Sequence, residues 1–359
     1  MHLFWYYASI FITGCSIAAV LTPVCIHFSK KYGYIDIPNE RKLHNKAVPY
    51  GGGVAIFLSL SVMVIIAFFV LASQALHDKI AMYIDGYVIL RDERIVAIIS
   101  GAVAIFVLGI VDDLIEFSAK IKLTLQIIII SAVLYFSSLS MSFFVYEPVI
   151  GFIGTMLWVV LITNAFNLLD NMDGLCSGVS LLTLAFHFIL LLSFGQYVVA
   201  CLTVMVSAPL FIFFLYNKPS AKVYLGDAGS LMLGYIIAIL SVLSTYYREG
   251  QHLSSILTPL IILAIPLYDV ATVMVIRLKL KQPFFKADKN HFSHRLLKLG
   301  MSPAQSLSAI LALSAITGIS SLLIIKSSNI QAILILLQVL LVFVVVTLLE
   351  WISSRQKKA

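Results

Sequence analysis

The sequence predicts an all-α polytopic membrane protein of about eleven transmembrane helices, with its N-terminus outside and its C-terminus in the cytoplasm. Three observations carry that expectation. Of the 359 residues 61% are hydrophobic and 11% charged, and the mean hydropathy is +1.03, a composition foreign to water-soluble domains. Apolar runs long enough to cross a bilayer recur along the whole chain. The 24 Lys and Arg are also segregated: alternate connections hold all but Lys79, Arg91, Arg94, Arg248 and Lys326. By the positive-inside rule the Lys/Arg-rich side faces the cytoplasm.

The apolar runs fall at roughly 4–28, 51–74, 95–111, 121–139, 151–169, 176–194, 197–215, 230–246, 255–276, 303–325 and 330–352. The third and fourth are short for a span. No polar connection is long enough to fold by itself, so residues 1–359 are expected to form a single integral-membrane domain. The net charge of +7 belongs to the cytoplasmic face and suits anionic lipid headgroups or phosphorylated substrates. Nucleic acid, which needs a basic soluble surface, is excluded as a partner. Cys15, Cys25, Cys176 and Cys201 lie scattered among apolar residues without metal-ligand spacing and read as core residues. Ile12-Thr13-Gly14-Cys15 superficially resembles a lipoprotein cleavage box, but no basic region precedes it.

The first inside loop carries Asp36, Asn39, Arg41, Lys42 and His44 before the run Gly51-Gly52-Gly53. Two cations, an amide and an imidazole ahead of glycines could clamp a phosphate. A basic loop ending in a turn explains the same residues equally well. The next outside loop, roughly 75–94, mixes charges and reads as a solvated surface. The following inside turn holds Asp112-Asp113, with Lys120 and Lys122 close behind. Adjacent carboxylates at a membrane boundary repel, and a metal ion or lysine would relieve them.

The fifth run ends in Asn164-Ala-Phe-Asn167-Leu-Leu-Asp170-Asn171-Met-Asp173-Gly174. Each helical residue turns about 100°, so Asn164 and Asn167 share a face only if the chain then breaks. Asp170, Asn171 and Gly174 suit such a break. The product is a mouth of oxygen ligands fit for a hard divalent cation, a sugar or a nucleotide. A polar helix cap with a solvated loop is the plainer alternative. His187, inside an apolar helix, reads as a satisfied core histidine.

The fourth inside loop ends in Gly226-Asp227-Ala-Gly229-Ser230 directly before an apolar run. Asp227 could ligate a metal there and Ser230 could cap the helix. Asp269 lies inside a span, which makes it a functional candidate, with a structural ion pair as the alternative. The last large inside loop holds His291, Ser293, His294 and Arg295. The two histidines are spaced for one helical face and could meet a diphosphate with Arg295, but they are too few for a catalytic zinc site.

Together these motifs resemble the polyprenyl-phosphate N-acetylhexosamine-1-phosphate transferase family over most of the chain. The box Pro38-Asn39-x-Arg41-Lys42-x-His44 is similar to the bacterial GlcNAc-1-phosphate transferase branch and not to the muramyl-pentapeptide branch. The resemblance implies transfer of an N-acetylhexosamine 1-phosphate, GlcNAc first among them, from a UDP-sugar to undecaprenyl phosphate with release of UMP. Mg²⁺, or Mn²⁺ in its place, would be the cofactor. It implies a metal site at Asp227 with Asn167 and catalytic roles for Asp112, Asp113, Asp227 and His291. Substrate contacts are implied for Asn39, Arg41, Lys42, His44, Lys120, Asn164, Asp170, Asp173, Asp269, His294 and Arg295. An active site facing the cytoplasm in the inner (plasma) membrane, contact with membrane lipids and an open option of a homodimer follow from the same likeness. Many relatives have a histidine where this chain has Ser293, and a Ser293→His exchange is expected to be accommodated. Direct displacement and a covalent Asp intermediate both stay open. A phospho-MurNAc-pentapeptide transferase, or an enzyme using another UDP-N-acetylsugar, is the alternative within the class. A cation-coupled transporter is the alternative outside it, but that would want carboxylates at the bilayer midplane and an internal repeat. A non-catalytic scaffold would have lost its carboxylates.

Overall fold

The computed structural model describes residues 2–36, 47–72, 93–141, 147–244, 246, 253–283 and 290–356. The described residues form thirteen α-helices, two short 3-10 helices (Leu253–Leu257 and Ile324–Lys326) and one two-stranded sheet. Helix α1 (His2–Lys31) ends on Lys30 and Lys31, cations that suit the negative end of the helix dipole. Strands β1 (Ile35–Asp36) and β2 (Val48–Pro49) pair antiparallel between α1 and α2 (Gly52–Ala72). Then come α3 (Glu93–Ile115) and α4 (Ala119–Ser137), the latter capped by the Ser118 hydroxyl accepting from the Ile121 amide. Helix α5 (Pro148–Leu169) opens on a proline, whose missing N–H costs nothing at a first turn. Helices α6 (Leu175–Ser193), α7 (Tyr197–Asn217) and α8 (Gly226–Leu243) follow. Short α9 (Thr258–Ile262) leads into α10 (Ala264–Lys279) and, after the next loop, α11 (Phe292–Lys298). Helix α12 (Pro303–Leu323) starts with a Ser302/Gln305 capping box, and α13 (Asn329–Gln356) ends the described chain.

Ten of these helices are long and apolar enough to cross a membrane, and α9 with α10 makes an eleventh span if the bent pair counts as one. The chain is therefore an all-α, multi-pass membrane protein. Two expectations are corrected. The run at 255–276 is not one straight helix: its halves meet at Leu263 with a 71° bend. Pro266 explains the break, because it has no N–H for the Ile262 carbonyl and its ring would clash there. The third run is not short either, since α3 continues to Ile115 and carries Asp112 and Asp113 in its last turns.

Helix α8 is the centre of the bundle. Of its most apolar window 78% is buried, against 11% for α13. It packs chiefly against α3 and α5, with α2 alongside. At Gly109 of α3 a Cβ would stand 2.4 Å from the Cα of Ala228, so only glycine lets the two backbones meet. The Gly51–Gly53 run does similar work. The amides of Gly52 and Gly53 donate to the carbonyls of Tyr224 and Leu225, each at 3.0 Å, while the Tyr224 amide donates to Pro49 at 2.8 Å. These glycines dock α2 onto the approach to α8, and their N–H groups are spent there, not on a phosphate.

Candidate active site

The last turns of α3, the first turn of α4, the end of α5 and the start of α8 converge at one end of the bundle. Lys122, on α4, lies between two carboxylates: its Nζ is 2.7 Å from Asp112 Oδ2 and also donates to Asp227 Oδ2. The other oxygen of Asp112 accepts from the Phe117 amide at 2.8 Å, which fixes the turn joining α3 to α4. Asp113 serves α8. Its Oδ1 accepts from the Asp227 amide at 2.8 Å and its Oδ2 from the Ala228 amide at 3.2 Å, so a side chain of α3 caps orphan donors of α8. The Tyr34 hydroxyl donates to the same Oδ2 at 2.6 Å. Gly226 makes this possible: it sits at φ +71°, and a Cβ there would come 2.7 Å from Asp113 Oδ2. Burial, and then the charge of Asp113, push the Tyr34 hydroxyl well above its ordinary pKa, so it stays a donor.

Asp227 is the exposed member of the cluster, with a side chain 33% accessible against 6% for Asp112. Its Oδ1 accepts from Asn167 Nδ2 at 2.7 Å, and the same nitrogen donates to Ser230 Oγ at 2.9 Å. Asn167 turns its amide nitrogen toward Asp227 and donates to that carboxylate. One expectation changes here. Ser230 does not cap α8, which begins at Gly226; its hydroxyl donates back to the Gly226 carbonyl at 3.0 Å. Asn164 lies one turn deeper on α5, donating to Gln126 Oε1 at 2.6 Å and to the Val160 carbonyl at 2.8 Å. The bond to Gln126 ties α5 to α4 one turn below Asn167.

The chain breaks after Leu169 as its residues predict, with Gly174 at φ +73° before α6. Asn217, missed in the sequence, secures that turn from the end of α7. Its Oδ1 accepts from the Gly174 amide at 3.0 Å and from Ser177 Oγ at 2.9 Å, while its Nδ2 donates to the Val223 carbonyl at 3.0 Å. Asp173 Oδ2 accepts from the Ala221 amide at 2.9 Å, tying the turn to the α7–α8 loop. Crowding by protein, then the charges of Asp227, Asp113 and Asp173, hold Asp170 well above the usual carboxylate range.

A second group hangs from α10 and α11. Asp269, 1% exposed, accepts from the Phe292 amide at 2.6 Å and meets His291 Nδ1 at 2.9 Å. Asp269 thus has the hydrogen-bonded structural role that was the alternative to a substrate contact, tying α10 to His291 and Phe292. His294 follows, its ring 6.2 Å from that of His291. Arg295 bonds within the protein through each of its guanidinium nitrogens, Nε to Glu350, Nη1 to the Asn290 carbonyl and Nη2 to Thr272, which uses three of its five N–H donors. The Ser293 hydroxyl donates to Asn171 Oδ1, linking the histidine loop to the α5–α6 turn. Ser293 is 1% exposed, so the expected Ser293→His exchange requires the neighbours of this position to shift.

Lys120 is solvent-exposed, and Lys122 takes the central place instead. The signal was present: the buried stripe of α4 runs through Gln126 and Ile130, and Lys122 is one turn before Gln126. Tyr34 had no such signal, because only the β1–β2 pairing brings it to Asp113. Asn39, Arg41, Lys42 and His44 lie outside the described residues.

The donor set fits a hard cation in a particular way. The Lys122 ammonium pairs with Asp112 and Asp227, and Asp113 adds a third carboxylate beside them, so the cluster holds one cation for three carboxylates and leaves negative charge to be balanced. Among the described residues no three His, Cys, Asp or Glu side chains are gathered into a metal cage. Mg²⁺ is commonly held by one or two carboxylates plus water and substrate phosphate, and this set suits that pattern.

A helical membrane bundle that gathers carboxylates, a lysine and a histidine loop at one end is built as an enzyme for charged substrates delivered at a membrane surface. Residues 95–245 match the model of glycosyl transferase family 4. A Bacillus subtilis (strain 168) protein, named as a probable undecaprenyl-phosphate N-acetylglucosaminyl 1-phosphate transferase, is 36% identical over 93% of this chain and 88% of its own. Proteins named undecaprenyl-phosphate alpha-N-acetylglucosaminyl 1-phosphate transferase are similar too. That of Thermotoga maritima is 30% identical over 77% of this chain and 78% of its own; that of Escherichia coli (strain K12) is 28% identical over 77% and 73%. The chain belongs to this family, the polyprenyl-phosphate N-acetylhexosamine-1-phosphate transferases that its motifs resemble.

Proposed function

We propose that this protein transfers N-acetylglucosamine 1-phosphate from UDP-N-acetylglucosamine to undecaprenyl phosphate, releasing UMP, at the cytoplasmic face of the plasma membrane. The observation that carries this reading is Lys122 set between Asp112 and Asp227 at the head of α8. The named relatives support the substrates, and the Lys/Arg distribution supports the orientation.

In this reaction a non-bridging oxygen of the lipid phosphate forms a bond to the sugar-bearing phosphorus. The bond from that phosphorus to the bridging oxygen breaks, and the oxygen leaves on UMP. Positioning and charge stabilisation do most of the work in phosphoryl transfer. Lys122 offers its ammonium to phosphate oxygens while Asp112 and Asp227 hold it in place. Asp113 keeps the first turn of α8, and so Asp227, at a fixed height. Both carboxylates of the Asp112–Asp113 pair already accept hydrogen bonds on each oxygen, which suits roles in placement and charge better than nucleophilic attack. Asp269 claims Nδ1 of His291, which leaves Nε2 as the nitrogen for substrate. Asp170 and Asp173 border the same mouth from the α5–α6 turn. Asp227, with Asp112 beside it, would hold Mg²⁺, which when bound neutralises the diphosphate and the charge gathering on the leaving phosphate.

The test is UMP release by the purified protein with undecaprenyl phosphate and a panel of UDP-N-acetylsugars, with and without a chelator. UMP should appear with UDP-GlcNAc, stop on chelation and return on adding Mg²⁺. A folded protein that releases no UMP from any donor would contradict the reading. Release only from UDP-MurNAc-pentapeptide would move the chain to the other branch.

A further inference from the structure

Through its bilayer-spanning stretch, 329–351, α13 has one charged residue, Glu350. A charge at such a place is costly and needs a partner. Phe343, Thr347 and Glu350 recur at helical spacing on one face of α13. Phe343 stacks on Tyr268 of α10 with ring centroids 4.5 Å apart, and Thr347 Oγ1 lies 2.9 Å from the Tyr268 hydroxyl. Glu350 Oε2 accepts from Arg295 Nε at 3.0 Å, in a pair that is 12% and 10% exposed. Arg295 spreads that hold. Its Nη1 donates to the Asn290 carbonyl at 2.6 Å, immediately before His291, and its Nη2 to Thr272 of α10 at 3.0 Å. Its guanidinium also lies over the rings of Tyr268 and Phe292, at 5.8 Å and 5.6 Å. The entry to the histidine loop is thus gripped by a residue whose charge partner is on the last helix.

We infer that Glu350 is a positioning residue for the transfer reaction: through Arg295 it holds Asn290–His291 against α10, so that His291 stays seated on Asp269. The kinetic part of this inference rests on the transferase reading above; the structural part does not. Removing the carboxylate leaves a guanidinium with one donor unpaired in a crowded site and frees the loop to shift. Small displacements of a catalytic group are costly, about 100-fold in rate for an ångström.

The experiment compares the purified full-length chain with Glu350→Ala, Glu350→Gln and Arg295→Lys. Turnover, KM for the UDP-sugar, thermal unfolding and diethylpyrocarbonate labelling of histidines mapped by mass spectrometry are read on each. Glu350→Ala should lower kcat by about tenfold or more, as loss of a supporting partner typically does, with KM little changed and with a lower unfolding temperature, from loss of a buried partner, that still leaves the protein folded at the assay temperature. Glu350→Gln, which keeps an acceptor oxygen of the same reach, should recover most of the rate, whereas Arg295→Lys, which cannot bridge all three partners, should not. Labelling of His291, 7% exposed, should rise in Glu350→Ala while His187, 2% exposed, stays protected. Wild-type kcat in Glu350→Ala, unchanged His291 labelling, or a loss of rate that only tracks loss of folded protein would each overturn the proposal. If the wild type releases no UMP from any donor, the transferase reading and the kinetic role fall together, and the labelling alone decides whether Glu350 holds the loop.

Discussion

Replacing Lys122 with methionine keeps the length of the side chain and removes the one cation that Asp112 and Asp227 share. Turnover should fall by about 100-fold or more, the scale of losing a charge-stabilising donor, in a protein that still elutes as a folded species. An active Lys122→Met variant would sink the role given to this residue. Asp170 makes a pH prediction. Its folded pKa is raised, by crowding first and neighbouring carboxylates next, above the unfolded value of about 3.9. The folded state therefore binds this proton more tightly, and its stabilising effect is lost as pH rises from the unfolded value through the folded one. In metal-free protein Asp170→Asn should raise the unfolding temperature above that window and flatten its pH dependence. Equal slopes in variant and wild type would contradict the assignment. At this scale residue chemistry was legible where spacing imposed it: Asp112, Asp113, Asn167 and Asp227 do meet. Partner choice was not. Arg295 looks like a phosphate ligand from its type, and only the fold shows that three of its five donors go to Glu350, Asn290 and Thr272.

Helices α3 and α8 touch backbone to backbone where the site is built, so packing and geometry are coupled there. Gly109→Val would place a Cβ 2.4 Å from the Ala228 Cα and force the two helices apart. Overpacking of this kind costs about 1–3 kcal/mol, and the shift would also lift Asp113 off the α8 amides. Thermal unfolding should fall accordingly, while Gly154→Val, at a position with open space, should be near neutral. Indistinguishable unfolding of the two variants would show that α3 and α8 are not in such contact. Helix number was legible because hydropathy reports it directly. The bend at Leu263 was not, because a hydropathy window reads through a kink; Pro266 was the available sign. The end of α3 was placed too early for a related reason. Two aspartates end an apolar count, yet Lys122 and the α8 amides supply partners that keep them helical.

Across the whole molecule, the site depends on chain segments far apart in sequence ending on the same side of the bundle. The Lys/Arg pattern made that sidedness legible before any contact was known. The contacts agree: Tyr34 reaches Asp113, Lys122 reaches Asp227, Ser293 reaches Asn171 and Arg295 reaches Glu350. Which of these segments touch, and which merely share a side, came only from the packing around α8. The central claim is that the phosphate travels with the sugar. It is tested most directly with UDP-N-acetylglucosamine labelled with ³²P on its β-phosphate, incubated with undecaprenyl phosphate, Mg²⁺ and the purified protein. The account predicts label in the lipid fraction as a diphosphate-linked sugar, with unlabelled UMP in the aqueous phase. Label retained in aqueous UDP while the sugar moves, or no movement of either, would contradict it.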